Sequence, residues 1–327
     1  HLNGNFKSKM KIERLTAIFC LLSIRSSLSF LPLTASSKPF AAQSGASIRA
    51  RNFAHENLRN SCAVNAGQTS IEAPEAPKYG PHLTLKGYTL NTVGIMYIIS
   101  SFGAAFVFYP FLIGSYIMSK VFQPKTMRYV DWIVHMWSKV SCLLMTFKPV
   151  ITGIENLPPM GEAVMYVPNH CSYFDIMTLS GFLPRPFKYI SKIEVLRIPL
   201  IGWAMRMAHH IAIRRTDRKS QIQTFKDAVT SLKNGNSLVT FAEGTRSPDG
   251  RLGSFKKGPF TMAKKAGVRI VPISLINTHI MMPKDCLMPV GIPRNVEIKI
   301  HPPVSTNDKT EEEAMKIVRD AVACGLP

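Results

Sequence analysis

Apolar and polar positions divide the chain into segments of different texture. From Gly87 to Ser119, between Lys86 and Lys120, there is no charged residue. That run exceeds the ~20 residues a single membrane span requires. Within it, Pro110 and Gly114 are positioned to kink a span or to turn it into a re-entrant hairpin. Downstream, Trp132, Ile133, Met136, Trp137, Val140, Leu143, Leu144 and Phe147 recur at three- to four-residue spacing. His135 and Lys139 lie off that stripe. The pattern over Trp132–Phe147 predicts a helix at a membrane interface, with tryptophans at headgroup level. From Val150 onward, short apolar runs alternate with helical spacing. Strands are predicted at Ala163–Val167, Phe187–Ile190, Ile211–Ile213, Ser237–Phe241, Arg269–Leu275 and Val296–Ile300. Helices are predicted at Gln221–Asn234, Gly258–Ala266 and Lys309–Cys324. This alternation predicts an α/β fold: a mostly parallel sheet flanked by helices, preceded by an N-terminal membrane-embedded helical segment.

The first 75 residues read differently. Met10, Lys11 and Arg14 form a basic start, Leu15–Ile24 an apolar core too short to span a membrane, and Ser26–Ser29 a small-residue stretch suited to cleavage. From Phe30 to about Ile71 the chain is rich in Ser, Ala and Asn, and Glu56 is its one acid. That is transit-peptide composition, although a disordered tail behind a secretory signal has the same features. A signal joined to a transit peptide resembles the bipartite leader of plastid proteins in algae with secondary plastids, and Ser29-Phe30-Leu31-Pro32 is similar to its cleavage junction. The expected organisation is therefore a targeting leader with a Pro-containing linker (1–75), transmembrane and interfacial helices (76–149) and an α/β domain (150–327).

Charge narrows the partners. Lys and Arg total 40 against 20 Asp and Glu, a formal net charge of +20. Such an excess suits a polyanion. No zinc-finger spacing, aromatic RNA-binding signature or leucine zipper accompanies it, so no nucleic acid is expected. The long apolar runs favour an anionic membrane surface. The six cysteines form no C-x-x-C pair and suggest neither a disulfide framework nor a zinc site; they read as reduced thiols.

Two constellations carry chemistry, each directly after a predicted strand. The first is Asn169-His170-Cys171-Ser172-Tyr173-Phe174-Asp175. Histidine is the usual general base near neutral pH, and a carboxylate beside it fixes the tautomer and supports the imidazolium. Residues five apart point ~140° away from each other on a regular helix, so His170 is expected in the strand-to-helix turn. Ser172 then fits a helix N-cap with Asp175 as its N3 partner, a structural role that can coexist with the chemical one. The second is Phe241-Ala242-Glu243-Gly244-Thr245-Arg246-Ser247. Gly244 permits close backbone approach, and Thr245 and Arg246 offer hydroxyl and guanidinium donors to a phosphate. Lys256 and Lys257 follow, just before a helix start, where anions are favoured.

Together these blocks resemble the family of 1-acylglycerol-3-phosphate and related glycerolipid acyltransferases. The N-H-x-x-x-x-D block matches Asn169, His170 and Asp175, and the E-G-T-R block matches Glu243 to Arg246. Between them Ile211-Ala212-Ile213-Arg214-Arg215 fits the apolar strand ending in Arg, and Val271-Pro272-Ile273 fits the late apolar-Pro block. Ala242 stands where the family commonly has Pro, Ala212 where it often has Phe, and Arg214 where Asp or Asn is frequent. The resemblance implies transfer of an acyl group from an acyl-carrier protein or coenzyme A thioester to the sn-2 hydroxyl of lysophosphatidate, with no metal or other cofactor. It implies His170 as base, Asp175 as its support, and Arg246 and Arg215 as phosphate ligands helped by Lys256 and Lys257. Glu243 is expected to organise the site through Arg246 or a substrate hydroxyl. Membrane lipids and the acyl-thioester donor are the expected partners, and a plastid membrane the expected location, with the endoplasmic reticulum as the alternative.

Overall fold

The computed structural model describes residues 82–85 and 88–327, apart from 199, 285, 293 and 294. The leader reading of residues 1–75 lies outside the described residues. A short antiparallel hairpin, β1 (His82–Leu85) and β2 (Tyr88–Asn91), opens the described chain; the sequence pattern did not predict it. Two long helices follow, α1 (Thr92–Phe122) and α2 (Arg128–Leu144). The remaining strands are β3 (Val150–Thr152), β4 (Met165–Pro168), β5 (Lys188–Lys192), β6 (Ile211–Ile213), β7 (Leu238–Val239), β8 (Ile270–Ile276) and β9 (Glu297–Ile300). They form one seven-stranded sheet in the order β3-β9-β8-β4-β7-β5-β6. Every neighbouring pair is parallel except β8 with β9.

Alternation along the strands builds a core on each face. Tyr166, Val239, Val271, Ile273 and Leu275 face the first core, with α3 (Phe174–Phe182), α2 and the start of α1. Met165, Val167, Leu238 and Ile270 face the second, with α5 (Arg218–Lys233), α6 (Gly258–Ala266) and α8 (Glu311–Gly325). Two shorter helices, α4 (Ile201–Met207) and α7 (Thr278–Met281), complete the set. Side chains cap the helices as the sequence chemistry dictates. Asp217 accepts the Lys219 N–H at the start of α5, and Thr310 and Glu313 form a reciprocal capping box on α8.

The re-entrant alternative for the apolar run is not what forms. α1 is one continuous 31-residue helix with Pro110 inside it, about 46 Å long at 1.5 Å per residue. Pro110 sits on the exposed side, where its missing N–H removes one bond without breaking the helix. The helix also lies against the catalytic domain instead of standing away from it. At its start the Asn91 side chain accepts the Gly94 N–H (2.9 Å) and donates to the Pro289 carbonyl (2.8 Å), and Tyr97 packs edge-on to Phe174 at 6.0 Å. Farther along, Ser101 O receives the Trp137 indole N–H, and Leu112 joins Met127, Val130 and Ala208 in a third small core. The α1–α2 turn reaches the opposite sheet edge, where Asn236 donates to Lys125 O at 3.1 Å.

Helix α2 turns its small residues inward. Ser138, Ser141 and Cys142 are buried, while Trp132, Leu143 and Leu144 are exposed. Ser138 donates to the Met177 carbonyl at 2.8 Å, and a Cβ at Gly181 would come within 2.9 Å of Lys139 N, so glycine lets α2 and α3 touch. A buried ion pair, Lys188 Nζ to Asp131 at 2.5 and 2.7 Å, ties α2 to β5. Among the described residues, Cys142, Cys171 and Cys286 take part in no disulfide.

Candidate active site

Three adjacent parallel strands deliver the chemistry to one edge of the sheet. β4 is central, with β7 on one side and β8 on the other. Past their C-terminal ends come Asn169–Asp175, Phe241–Ser247 and Asn277–Thr278. Sites of open α/β sheets form at this edge, because successive loops converge there.

His170 lies in the turn between β4 and α3, as the five-residue spacing required. Its Nδ1 is 2.8 Å from Asp175 Oδ2. Asp175 is fully buried, and the His170 side chain is 14% exposed, so one partner is fixed and the other accessible. The same Asp175 oxygen accepts the backbone N–H groups of Cys171 and Ser172, both at 2.9 Å. Its other oxygen, Oδ1, accepts the Thr278 hydroxyl at 2.6 Å. Ser172 Oγ accepts the Phe174 N–H and donates to Met282 O. The N-cap of α3 is Tyr173, without a side-chain capping bond, so the expected Ser172 N-cap does not form; Asp175 instead holds the N–H groups of the preceding turn together with the imidazole. With Nδ1–H committed to Asp175, Nε2 is the nitrogen left with a lone pair. The ring stacks on Phe241 at 3.8 Å and 20°.

The two motifs interlock through the His170 backbone. Its N–H donates to Glu243 Oε1 at 2.7 Å, and its carbonyl accepts the Ser247 N–H at 2.8 Å. Glu243 Oε2 accepts the Gly253 N–H at 2.9 Å. Glu243 is buried, and desolvation raises its pKa against the opposing pull of these bonds. The expected contact of Glu243 with Arg246 is replaced by two backbone N–H groups, because its buried carboxylate is taken up by His170 and Gly253. Asn169 closes the rear of the site: its amide exchanges two hydrogen bonds with the Leu275 backbone, at 2.6 and 3.0 Å, and so ties the end of β4 to β8.

Cations surround the 243–247 loop. Arg215, from beyond β6, donates to the Gly244 carbonyl. Gly244 has φ +72°, and a Cβ there would approach the Lys256 Cε and Nζ to 2.9 Å, which accounts for glycine at this position. Arg246 lies over the Tyr173 ring at 3.4 Å and donates Nη1 to Lys284 O at 2.7 Å. Among the described residues, Arg215, Arg246 and Lys256 form no ion pair with a carboxylate. Thr245 is exposed on the same loop. Lys257 is not brought into this group; its ammonium pairs with Glu312 of α8 at 2.6 Å. Tyr173, Phe241 and Thr278 are the site members that sequence reasoning did not single out. Tyr173 and Phe241 lie inside the quoted motifs, whereas nothing local marks Thr278.

An uncompensated cationic loop beside an accessible, carboxylate-held imidazole equips this edge for proton abstraction next to a bound anion. Comparisons with known proteins agree with that chemistry. The acyltransferase family model matches residues 148–276. The chain is 36% identical over 250 residues to a chloroplastic 1-acyl-sn-glycerol-3-phosphate acyltransferase of Arabidopsis thaliana, covering 76% of this chain and 68% of that one. It is 42% identical over 181 residues to a 1-acyl-sn-glycerol-3-phosphate acyltransferase of Chlamydomonas reinhardtii, covering 55% and 54%. The crystal structure of the 1-acyl-sn-glycerophosphate acyltransferase PlsC from Thermotoga maritima superposes with a TM-score of 0.61 at 29% identity, over 72% of this chain and 96% of that one. The chain belongs to the 1-acyl-sn-glycerol-3-phosphate acyltransferase family.

Proposed function

We propose that the protein transfers an acyl group from a thioester, of acyl-carrier protein or coenzyme A, to the sn-2 hydroxyl of lysophosphatidate, giving phosphatidate. The 2.8 Å contact between His170 Nδ1 and buried Asp175, beside an unpaired set of cations, carries this reading. His170 Nε2 takes the hydroxyl proton as the oxygen attacks the thioester carbonyl. Asp175 stabilises the imidazolium that forms. The tetrahedral intermediate collapses, the C–S bond breaks, and the proton on His170 passes to the departing sulfur. No acyl-enzyme is needed, since the acceptor oxygen is itself the nucleophile. Arg246, Arg215 and Lys256 hold the phosphate, with Gly244 and Thr245 presenting the loop to it. Purified protein given lysophosphatidate with each donor in turn should yield phosphatidate, read by mass. Equal transfer to a lysolipid whose headgroup carries no free phosphate monoester would remove the phosphate from the account.

The membrane reading is that the protein lies along an anionic surface. Its support is the outer face of α1, where Ile99, Phe106, Ile117, Val121 and Phe122 are each more than half exposed, flanked by Trp132, Leu143 and Leu144 of α2. Because α1 packs on α2 and also meets the catalytic domain, near its start through Asn91 and Tyr97 and farther along through Leu112 beside Ala208, that apolar face enters the interface sideways. Residues 1–75 direct the protein to a plastid, a reading supported by the chloroplastic relatives. A reporter carrying residues 1–75 should enter the plastid, and Phe30→Ala should block that step. Unchanged import would leave only a simple secretory signal.

A further inference from the structure

The dyad has a third member outside all the sequence blocks. Thr278 begins α7, immediately after β8, and is fully buried. Its hydroxyl reaches Asp175 Oδ1 at 2.6 Å across 103 residues of sequence. The other carboxylate oxygen already receives His170 Nδ1 and two backbone N–H groups. Oδ1 has Thr278 as its only hydrogen-bond donor among the described residues. A carboxylate held at one oxygen can still rotate about its Cβ–Cγ bond, whose torsion is broad. A second, independent anchor from β8 fixes the plane in which Oδ2 meets the imidazole.

The same hydroxyl lies 3.1 Å from Cys171 Sγ. Burial, and then Asp175, keep the Cys171 thiol protonated by raising its pKa well above the usual range. Thr278 has one proton, and the anionic carboxylate takes it. The Cys171 S–H is then the donor to Thr278 Oγ1. A directed chain results: Cys171 thiol, Thr278 hydroxyl, Asp175 carboxylate, His170 imidazole. Each donor in such a chain polarises the next.

We propose that Thr278 is a positioning residue for catalysis, orienting Asp175 toward His170 through its hydroxyl and fed in turn by the Cys171 thiol. This rests on the assignment of His170 as base. The test compares Thr278→Val, which keeps shape and removes the hydroxyl, with Thr278→Ser, which keeps the hydroxyl. Thr278→Ala guards against a misfit of the valine. His170→Ala is assayed alongside. Thr278→Val and Thr278→Ala should each lose about 10-fold in kcat, with KM for both substrates within about twofold, the range for a mis-set catalytic group. The acidic limb of kcat/KM should move to higher pH, because a carboxylate stripped of a donor holds the imidazolium more tightly. Thr278→Ser should stay within about threefold of the parent with its pH profile unmoved. Wild-type kcat and pH profile in both hydroxyl-free variants would overturn the proposal, as would equal losses in Thr278→Ser. If neither hydroxyl-free variant folds, the hydroxyl is a packing determinant and the proposal also falls. An inactive His170→Ala beside an unaffected Thr278→Val removes only the Thr278 claim, whereas an active His170→Ala removes the base assignment itself.

Discussion

Replacing Glu243 by glutamine isolates what holds the two motifs together. The side chains have the same shape, but their acceptors differ. The carboxylate gives one oxygen to the His170 N–H at 2.7 Å and the other to the Gly253 N–H at 2.9 Å. A carboxamide has one oxygen and one NH2, so one of those N–H groups must face another donor. A buried donor left unsatisfied costs about 1–3 kcal/mol. Removing the charge returns part of that, because burial already opposes ionisation of Glu243 and raises its pKa. The net loss in stability should therefore stay below about 2 kcal/mol, leaving the protein folded. Activity should suffer more. The bond at risk is on the backbone of the base itself, and a displacement of ~1 Å at a reacting group costs on the order of 100-fold. We expect kcat to fall roughly 10- to 100-fold, with KM for lysophosphatidate within about threefold. Steady-state kinetics against acceptor concentration, with a thermal melt of the same sample, reads both quantities. A kcat within threefold of the parent would refute the claim that these bonds seat His170. A raised KM at unchanged kcat would show Glu243 touching the substrate instead.

Other outcomes follow from the same geometry. Arg246→Ala should raise KM for lysophosphatidate roughly 10- to 150-fold, from the ~1.5–3 kcal/mol of a charged hydrogen bond, and should matter far less for an acceptor without phosphate. Equal effects on both acceptors, read by initial rates, would exclude direct phosphate binding. Tyr173→Ala should reproduce a fraction of that change, about 0.5–1 kcal/mol for a partly exposed cation–π contact, whereas Tyr173→Phe should not. Phe106→Asp with Val121→Asp should weaken sedimentation with anionic vesicles while leaving the melt unchanged, since both side chains are mostly exposed in the absence of lipid. Each apolar group of this size contributes ~1.5–3 kcal/mol when fully buried, and unaltered vesicle binding would move the membrane surface elsewhere.

The sequence was most informative where the chemistry is local. Ile211–Ile213 and Gly258–Ala266 form with the limits their apolar spacing predicted, and Gly267 ends the latter helix at φ +70°. His170 and Asp175 were legible because five-residue spacing across a turn is a contiguous feature. What sequence could not reveal is contact across the sheet. β7 is only two residues long, with two pairs to β4 and two to β5 before the chain departs toward the 243–247 loop. α5 starts three residues earlier than its apolar pattern, because Asp217 caps it and a cap has no periodicity. Glu243 meeting the His170 backbone, Lys257 turning to Glu312 and Thr278 reaching Asp175 all depend on strand order. The apolar stripe predicted over Trp132–Phe147 overran α2, which ends at Leu144 and leaves Phe147 buried in the core, and the buried residues of the helix are Val130, Asp131, Ser138, Ser141 and Cys142. Close helix approach rewards small residues there, a preference that hydropathy does not register.

The most direct test of the base assignment is His170→Ala, measured by transfer of a labelled acyl group to lysophosphatidate at saturating donor. The substitution retains the backbone N–H and carbonyl that Glu243 and Ser247 use, so the interlocked loops stay in place. It removes the imidazole, its stack on Phe241 and its bond to Asp175 Oδ2, which keeps the Cys171 and Ser172 N–H groups as donors. The expected result is a loss of at least about 100-fold in turnover, the lower range for a missing general base, with a melting profile close to the parent's. Turnover within a few-fold of the parent, in a folded protein, would contradict the account.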